Sequence, residues 1–408
     1  MRAIHVGFFL KRLAGAGAAL TLAFAGLAPI GAIAQTKAPF TLTAILPLTG
    51  NLAFVGAQQQ KAMQALEKYT NDHGGINGRP LHIEYLDDAN NPATSVALLS
   101  KVLPSQPPAI IGGGSGATCR ALAALAKDGP VLYCLTPAVR PERGGYMYST
   151  SVGYDDTIFA QIRYLSAKGY HHFAYISTTD ASGQQADLDI AEALRKPENS
   201  TVTITDHEKM AIGDLSAAAQ VQRMVNSKPD AIFALVTGNA VGTVLRELHD
   251  AGNALPVATT IGNMTYAQME AYRSFLPAVY LIPAPPWAGS ADSVPPGPLR
   301  VAIKQYFDIM HSVGARPDDI GAALAYDPTL IVLEALKHVP DGASALQVRD
   351  YISNMRDFAG ASGIYNFRLA PQRGLGIGDC IVVRWDITAN RYFAMSGPGG
   401  SALKKMGK

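Results

Sequence analysis

The sequence predicts an α/β protein built as two doubly wound lobes. Three observations carry this. Short apolar strand signals alternate with helix-period stretches along most of the chain. The pattern restarts after a Tyr/Ser-rich stretch at 146–155. A length of 408 residues suits two or three domains of roughly 150 residues, and so many βαβ units exceed one sheet.

In order, Thr41–Pro47 reads as a strand, and Gln58–Tyr69 as a helix with Ala62, Met63, Ala65, Leu66 and Tyr69 on one face. Asn71 to Gly75 stops that helix. Leu81–Leu86 alternates as a strand, Pro92 opens a helix to Leu103, and Ala109–Gly112 is a short buried strand. Ala117–Lys127 is a helix and Val131–Leu135 a strand. The second series runs helix Ile158–Lys168, strand Phe173–Ser177, helix Asp187–Arg195 and strand Val202–Thr205. Asp214 is placed to cap a helix reaching Val225; Ala231–Val236 is a strand, Ala240–Ala251 a helix and Pro256–Thr260 a strand. The prolines between Pro283 and Pro298 argue against regular structure there, so the segment reads as a connection between lobes. Helices at Leu299–His311, Asp318–His338 and Ala343–Met355 follow, and Cys380–Trp385 with Tyr392–Met395 reads as a hairpin. Lys404-Lys405 reads as a frayed end.

Composition excludes several classes. Apolar residues make up 48% and net charge is +2, so the chain is no disordered polymer. It carries no basic stripe for nucleic acid, and three cysteines are too few for a disulfide scaffold. Arg2, Lys11 and Arg12 precede an apolar run at Leu13–Ala28, and Ala32-Ile33-Ala34 offers small residues for cleavage. This predicts a signal peptide over residues 1–34, because the run falls short of the roughly 20 residues a membrane span needs. Export to a bacterial periplasm is the expectation. Taking three basic residues from 34 leaves 31 against 32 acidic ones, so the mature chain is near −1.

Several segments then act together. They are Ile45-Leu46-Pro47-Leu48-Thr49-Gly50 with Gly56, the turn Gly74-Gly75-Ile76-Asn77-Gly78-Arg79, and Asp87-Asp88-Ala89-Asn90-Asn91-Pro92. Ile110-Ile111-Gly112 with Ser115-Gly116-Ala117-Thr118, Lys228-Pro229-Asp230-Ala231 and Ala323-Leu324-Ala325-Tyr326-Asp327 complete the set. In this order and spacing, over nearly all of residues 40–395, the chain resembles the periplasmic leucine/isoleucine/valine-binding protein family, type I solute-binding proteins of ABC importers. The resemblance implies two Rossmann-like lobes joined by three crossover strands and closing on a ligand. Lobe 1 would be 38–153 plus 284–375, lobe 2 would be 154–283 plus 376–395, and 396–408 would be a C-terminal tail. It implies a small-molecule ligand, a membrane permease as partner, a monomer and no cofactor. A sensor subunit of the same fold is the alternative within that class.

Gly112 to Thr118 follows a strand and opens a helix, so free backbone N–H groups and the helix dipole face whatever sits there. The resemblance implies that Ser115, with Gly116, binds a ligand carboxylate. Thr136-Pro137-Ala138-Val139-Arg140 replaces the family's Ser-Pro-x-Ala-Thr, which implies Thr136, Val139 and Arg140 at the head group. Arg140 either pairs with a carboxylate or is a solvated loop arginine beside Glu142. The family's two acidic positions fall on Tyr154 and Ile261, flanked by Gly262 and Asn263, and neither is a carboxylate. Ser182 stands where a pocket tyrosine is common. An ammonium would lack acceptors, which points to a carboxylate without one, an aromatic or other hydrophobic acid.

A secreted serine hydrolase is the competing class, because Gly113-Gly114-Ser115-Gly116-Ala117 is one residue short of Gly-x-Ser-x-Gly. Its fifth residue is Ala and no His has a diagnostic neighbourhood, so no enzyme activity is expected. His207-Glu208-Lys209-Met210-Ala211 fails as a zinc motif, and His171-His172 reads as an exposed strand start. Trp287 either shields the cleft near a hinge or anchors packing. Cys119 and Cys134 fall on sequential elements that an oxidising compartment would allow to bridge, geometry deciding. Cys380 would then be a buried free thiol.

Overall fold

The computed structural model describes residues 37–287, 290–317 and 319–403. The segment 1–34, expected to be an export signal, and Lys404-Lys405 lie outside the described residues. The first lobe opens with β1 (Phe40–Leu46), α1 (Ala53–Asp72), β2 (Leu81–Asp87), α2 (Pro92–Val102), β3 (Ala109–Gly112), α3 (Gly116–Leu125), β4 (Val131–Cys134) and β5 (Met147–Ser149). The second holds α4 (Tyr154–Ser166), β6 (His172–Thr178), α5 (Ala181–Leu194), β7 (Thr203–Met210), α6 (Ala218–Asn226), β8 (Ala231–Leu235), α7 (Asn239–Asp250), β9 (Val257–Thr259), α8 (Tyr266–Ala271) and β10 (Tyr280–Ala284). The chain returns to the first lobe for α9 (Pro298–Ser312), α10 (Ile320–His338), α11 (Ala345–Asn354) and the small ladder β11 (Phe358–Ala359) with β12 (Ile364–Tyr365). It then crosses back for β13 (Ile381–Asp386) and β14 (Arg391–Ala394).

The first sheet has the order β2-β1-β3-β4-β5 and is parallel throughout. The second has the order β14-β13-β10-β9-β8-β6-β7, parallel from β10 to β7, with β13 and β14 antiparallel. This is a two-lobed α/β fold with three crossings between lobes. Strands β3, β4 and β8 are buried at every position because helices cover both faces of a parallel sheet. No helix among the described residues is long and apolar enough to cross a membrane.

Several elements differ from the sequence reading for identifiable reasons. Asp214 does not cap α6: its carboxylate accepts from Ala211 N at 2.7 Å and closes a turn, so the helix starts at Ala218. β7 runs on to Met210 through charged residues, because an edge strand buries only part of its surface. Pro283 is inside β10, paired with Val382; the parallel pairing to β9 covers only Tyr280 and Leu281, so the missing N–H falls beyond it. Residues 396–400 are no free tail, since Arg163 Nη1 donates to Gly399 O at 2.9 Å and Gly399 N to Cys380 O at 2.7 Å. Trp287 is a packing anchor: it is fully buried, donates to Ala361 O at 2.8 Å and meets Phe307 edge to face.

Cys119 on α3 and Cys134 at the end of β4 are joined by a disulfide with Cα atoms 5.9 Å apart, and Cys380 is a buried free thiol. The bond ties the helix after the Gly112–Ser115 loop to the neighbouring strand. Closing a loop of this length contributes about 3 kcal/mol. Non-reducing peptide mapping should recover the Cys119–Cys134 peptide pair, and replacing both residues by Ser should lower unfolding free energy in urea by about that amount.

Candidate functional site

A cavity of about 50 Å³ lies between the lobes, at the carboxyl ends of the parallel strands. From the first lobe come Leu52 after β1, Asn90 after β2, Gly114 to Gly116 after β3, and Leu135 to Ala138 after β4. From the second come Thr178 and Ser182 around the start of α5, Ile212 after β7, Val236 and Thr237 after β8, and Gly262 after β9. Val55, Leu324 and Tyr154 enter from helices.

The polarised end is the start of α3. Ser115 caps it: Ser115 Oγ accepts from Thr118 N at 3.3 Å, and Thr118 Oγ1 accepts from Ser115 N at 3.1 Å. The two side chains thus occupy each other's amides. Gly116 and Ala117 hold the first two helical positions, whose N–H groups have no intrahelical acceptor and point out of the helix end. Gly113 makes the preceding turn at φ +81°, and a Cβ there would lie 2.6 Å from Cys119 Sγ. At Gly116 a Cβ would lie 2.6 Å from Ala138 O and 3.2 Å from Ser182 Oγ. The first-lobe helix end and the second-lobe serine therefore face each other at close quarters.

None of the side chains lining the cavity is an Asp, Glu, Lys, Arg or His. Its walls are Leu52, Val55, Leu135, Leu235, Val236 and Leu324 with uncharged polar groups between them. Tyr154 is buried, which pushes its phenol above the usual range, and its hydroxyl lies beside those of Thr260 and Thr237. Ser182 Oγ is buried with no hydrogen-bond partner among the described residues.

Of the residues expected at the ligand, Ser115, Gly116, Thr136, Tyr154, Ser182 and Gly262 line the cavity. Four do not. Val139 is buried under the loop with Leu99, Ile110 and Leu122; Ala138 takes the place assigned to it, one residue earlier. Arg140 does not line the ligand space or pair with Glu142, but crosses to Asp189, Glu192 and Asp155 of the second lobe. Ile261 is core. Asn263 is a buried strut: it donates to Val236 O and Thr259 Oγ1, both at 2.8 Å, and accepts from Gly238 N at 3.2 Å. It thereby shapes the Val236–Thr237 wall from behind. Asn90, Thr178 and Thr237 are not expected at the ligand from sequence, although each lies at or within three residues of the end of a parallel strand. That position was the signal available.

No nucleophile is paired with a base in the cavity among the described residues. Ser177, Asp187 and His207 do approach one another, but Ser177 Oγ donates to Asp187 Oδ1 at 2.7 Å, so its proton is not directed to the imidazole. Ser177 is also fully buried, and Lys209 pairs with the same carboxylate. Among the described residues, no group of three or more His, Cys, Asp or Glu side chains is placed to hold a metal ion.

The family model described as "Periplasmic binding protein" matches residues 39–391, and the chain belongs to that family. Leu/Ile/Val-binding protein homolog 1 of Brucella suis is 27% identical over 220 residues, which cover 51% of this chain and 56% of that relative. The chain thus spans little more than half the length of such curated relatives in alignment. Two solved structures share the fold. An extracellular ligand-binding receptor from Rhodopseudomonas palustris HaA2 has a TM-score of 0.77 at 20% identity, over 88% of this chain and all of its own. A fatty acid ABC transporter substrate-binding protein from Thermomonospora curvata has a TM-score of 0.73 at 17% identity, over 89% and 92%.

Behind Tyr154, burial and then the neighbouring Asp155 charge push the Asp156 carboxyl up to about 6. The folded state binds that proton more tightly than the unfolded one, so stability falls as pH rises from about 4 through 6. Asp156→Asn should therefore raise stability at pH 7.5 by about 2 kcal/mol and leave it unchanged at pH 4. Urea melts across this range check it.

Proposed function

We propose that the chain is the extracytoplasmic solute-binding component of an ABC importer, capturing a small hydrophobic carboxylate that carries no α-ammonium. The observation that carries this is the cavity's charge-free lining around one polarised helix start. A carboxylate placed on the Gly116 and Ala117 amides is stabilised by unsatisfied donors and by the helix dipole. An ammonium in the same space would meet only neutral acceptors such as Asn90 Oδ1 and Ser182 Oγ and no carboxylate, and burying it with no counter-charge costs several kcal/mol. The aliphatic walls suit an alkyl or aryl body.

Family membership supports the binding role, and the relatives named for leucine, isoleucine and valine and for fatty acid span the two chemistries that the walls and the helix end combine. The signal over 1–34 supports export, so the working form is a mature periplasmic monomer. Ligand would favour the closed pair of lobes, the form a permease then accepts.

Thermal-shift screening should show hydrophobic monocarboxylates raising the melting temperature at millimolar concentration, with zwitterionic amino acids giving little or no shift. Gly116→Val should abolish that shift, because its side chain enters the contact with Ala138 and Ser182. Ligand-induced stabilisation by leucine or valine alone would overturn the assignment.

A further inference from the structure

Arg140 sits on the loop after β4, yet its guanidinium is spent on the other lobe. Nη2 and Nε reach Asp189 Oδ1 at 2.7 and 3.1 Å, Nη1 reaches Glu192 Oε2 at 2.6 Å, and Nη2 lies 3.6 Å from Asp155 Oδ2. A second arginine of the first lobe reinforces the bridge: Arg120 Nη2 donates to Gln185 Oε1 at 2.6 Å, and Gln185 Nε2 donates to Asp189 Oδ1 at 2.8 Å. Asp189 is almost wholly buried, whereas Arg140, Glu192 and Asp155 each keep about two-fifths of their side chains in water.

The arginine contacts all span the cleft and none belongs to the cavity lining, so they form when the lobes meet whether or not the cavity is filled. A buried carboxylate facing no cation costs several kcal/mol, but lobes that swing apart return Asp189 to water. The network therefore acts on the balance between open and closed forms. Because Arg140, Glu192 and Asp155 are partly solvated, its strength falls as salt shortens the screening length.

We propose that Arg140 is a positioning residue for solute capture, a latch that draws the lobes together on Asp155, Asp189 and Glu192 and populates the closed form before ligand arrives. This rests on the two-lobed capture proposed above and is independent of which solute is bound. Holding the closed form in reserve would tighten capture by cutting the closure cost that ligand must meet.

The test uses the ligand-free mature protein with a dye pair at Lys101→Cys and Lys228→Cys, one on each lobe, read by single-molecule energy transfer. The closed fraction should fall about three- to tenfold between about 20 mM and 500 mM salt. Arg140→Gln and Asp189→Asn should sit at the high-salt wild-type value at every salt concentration, and Arg140→Lys should recover part of the low-salt closed fraction. Melting temperatures at high salt should agree across the set, so a general loss of structure is told apart from loss of the latch. Equal closed fractions and equal salt responses in wild type and Arg140→Gln would overturn the proposal, as would a wild-type closed fraction indifferent to salt. Since no ligand enters the measurement, the assignment of the solute fails or stands separately.

Discussion

At the first turn of α3, Ser115 and Thr118 satisfy each other's backbone amides, which leaves Gly116 and Ala117 donating outward from the carboxyl edge of the first sheet. Much of the rest serves that arrangement. The left-handed Gly113 turns the chain sharply enough to aim the helix end into the cleft, and the Cys119–Cys134 bond fixes the helix to β4. Without a side chain at Gly116, Ala138 and the second-lobe Ser182 can close to contact distance. A single Cβ would hold the lobes apart, so close approach and free donors are one design constraint.

The second lobe contributes shape and neutrality more than charge. Asn263 supports the Val236–Thr237 wall from inside, and Thr237 Oγ1 and Thr260 Oγ1 lie 2.8 Å apart beside the Tyr154 hydroxyl. The acidic residues of this lobe stand outside the cavity, where Asp155, Asp189 and Glu192 meet Arg140. Attraction between lobes is thus separated in space from recognition. With a net charge of only +2 over 408 residues, selectivity must come from a few oriented amides and hydroxyls against aliphatic walls, and the protein's overall field contributes little.

Local patterns made much of this legible. Apolar runs such as Ala109–Gly112 and Val131–Leu135 show as buried strands because both their faces are covered, and the glycine run before Ser115 shows as a turn into a helix start because those residues are contiguous. What stayed hidden depends on residues far apart in sequence. Arg140 meets Asp189 forty-nine positions later, and Asp327, which accepts from Ala361 N and Ser362 N, folds the 360–363 turn onto α10. The substitution of Ala138 for Val139 at the cavity is a one-residue register question that a loop sequence does not settle. Leu324 reaches the cavity from the second turn of α10, outside the strand-end logic that finds the others. The edge strand β7 is legible only in its first residues, since the charged Asp206, Glu208 and Lys209 carry no apolar strand signal.

The most direct measurement is calorimetric titration of the mature protein, freed of co-purified ligand, with leucine and with 4-methylpentanoate, the same skeleton lacking the α-ammonium. A charge-free cavity at the α3 helix start predicts tighter binding of 4-methylpentanoate, by at least about tenfold, since a buried ammonium with no counter-charge costs more than about 1.4 kcal/mol. Tighter binding of leucine would contradict the account.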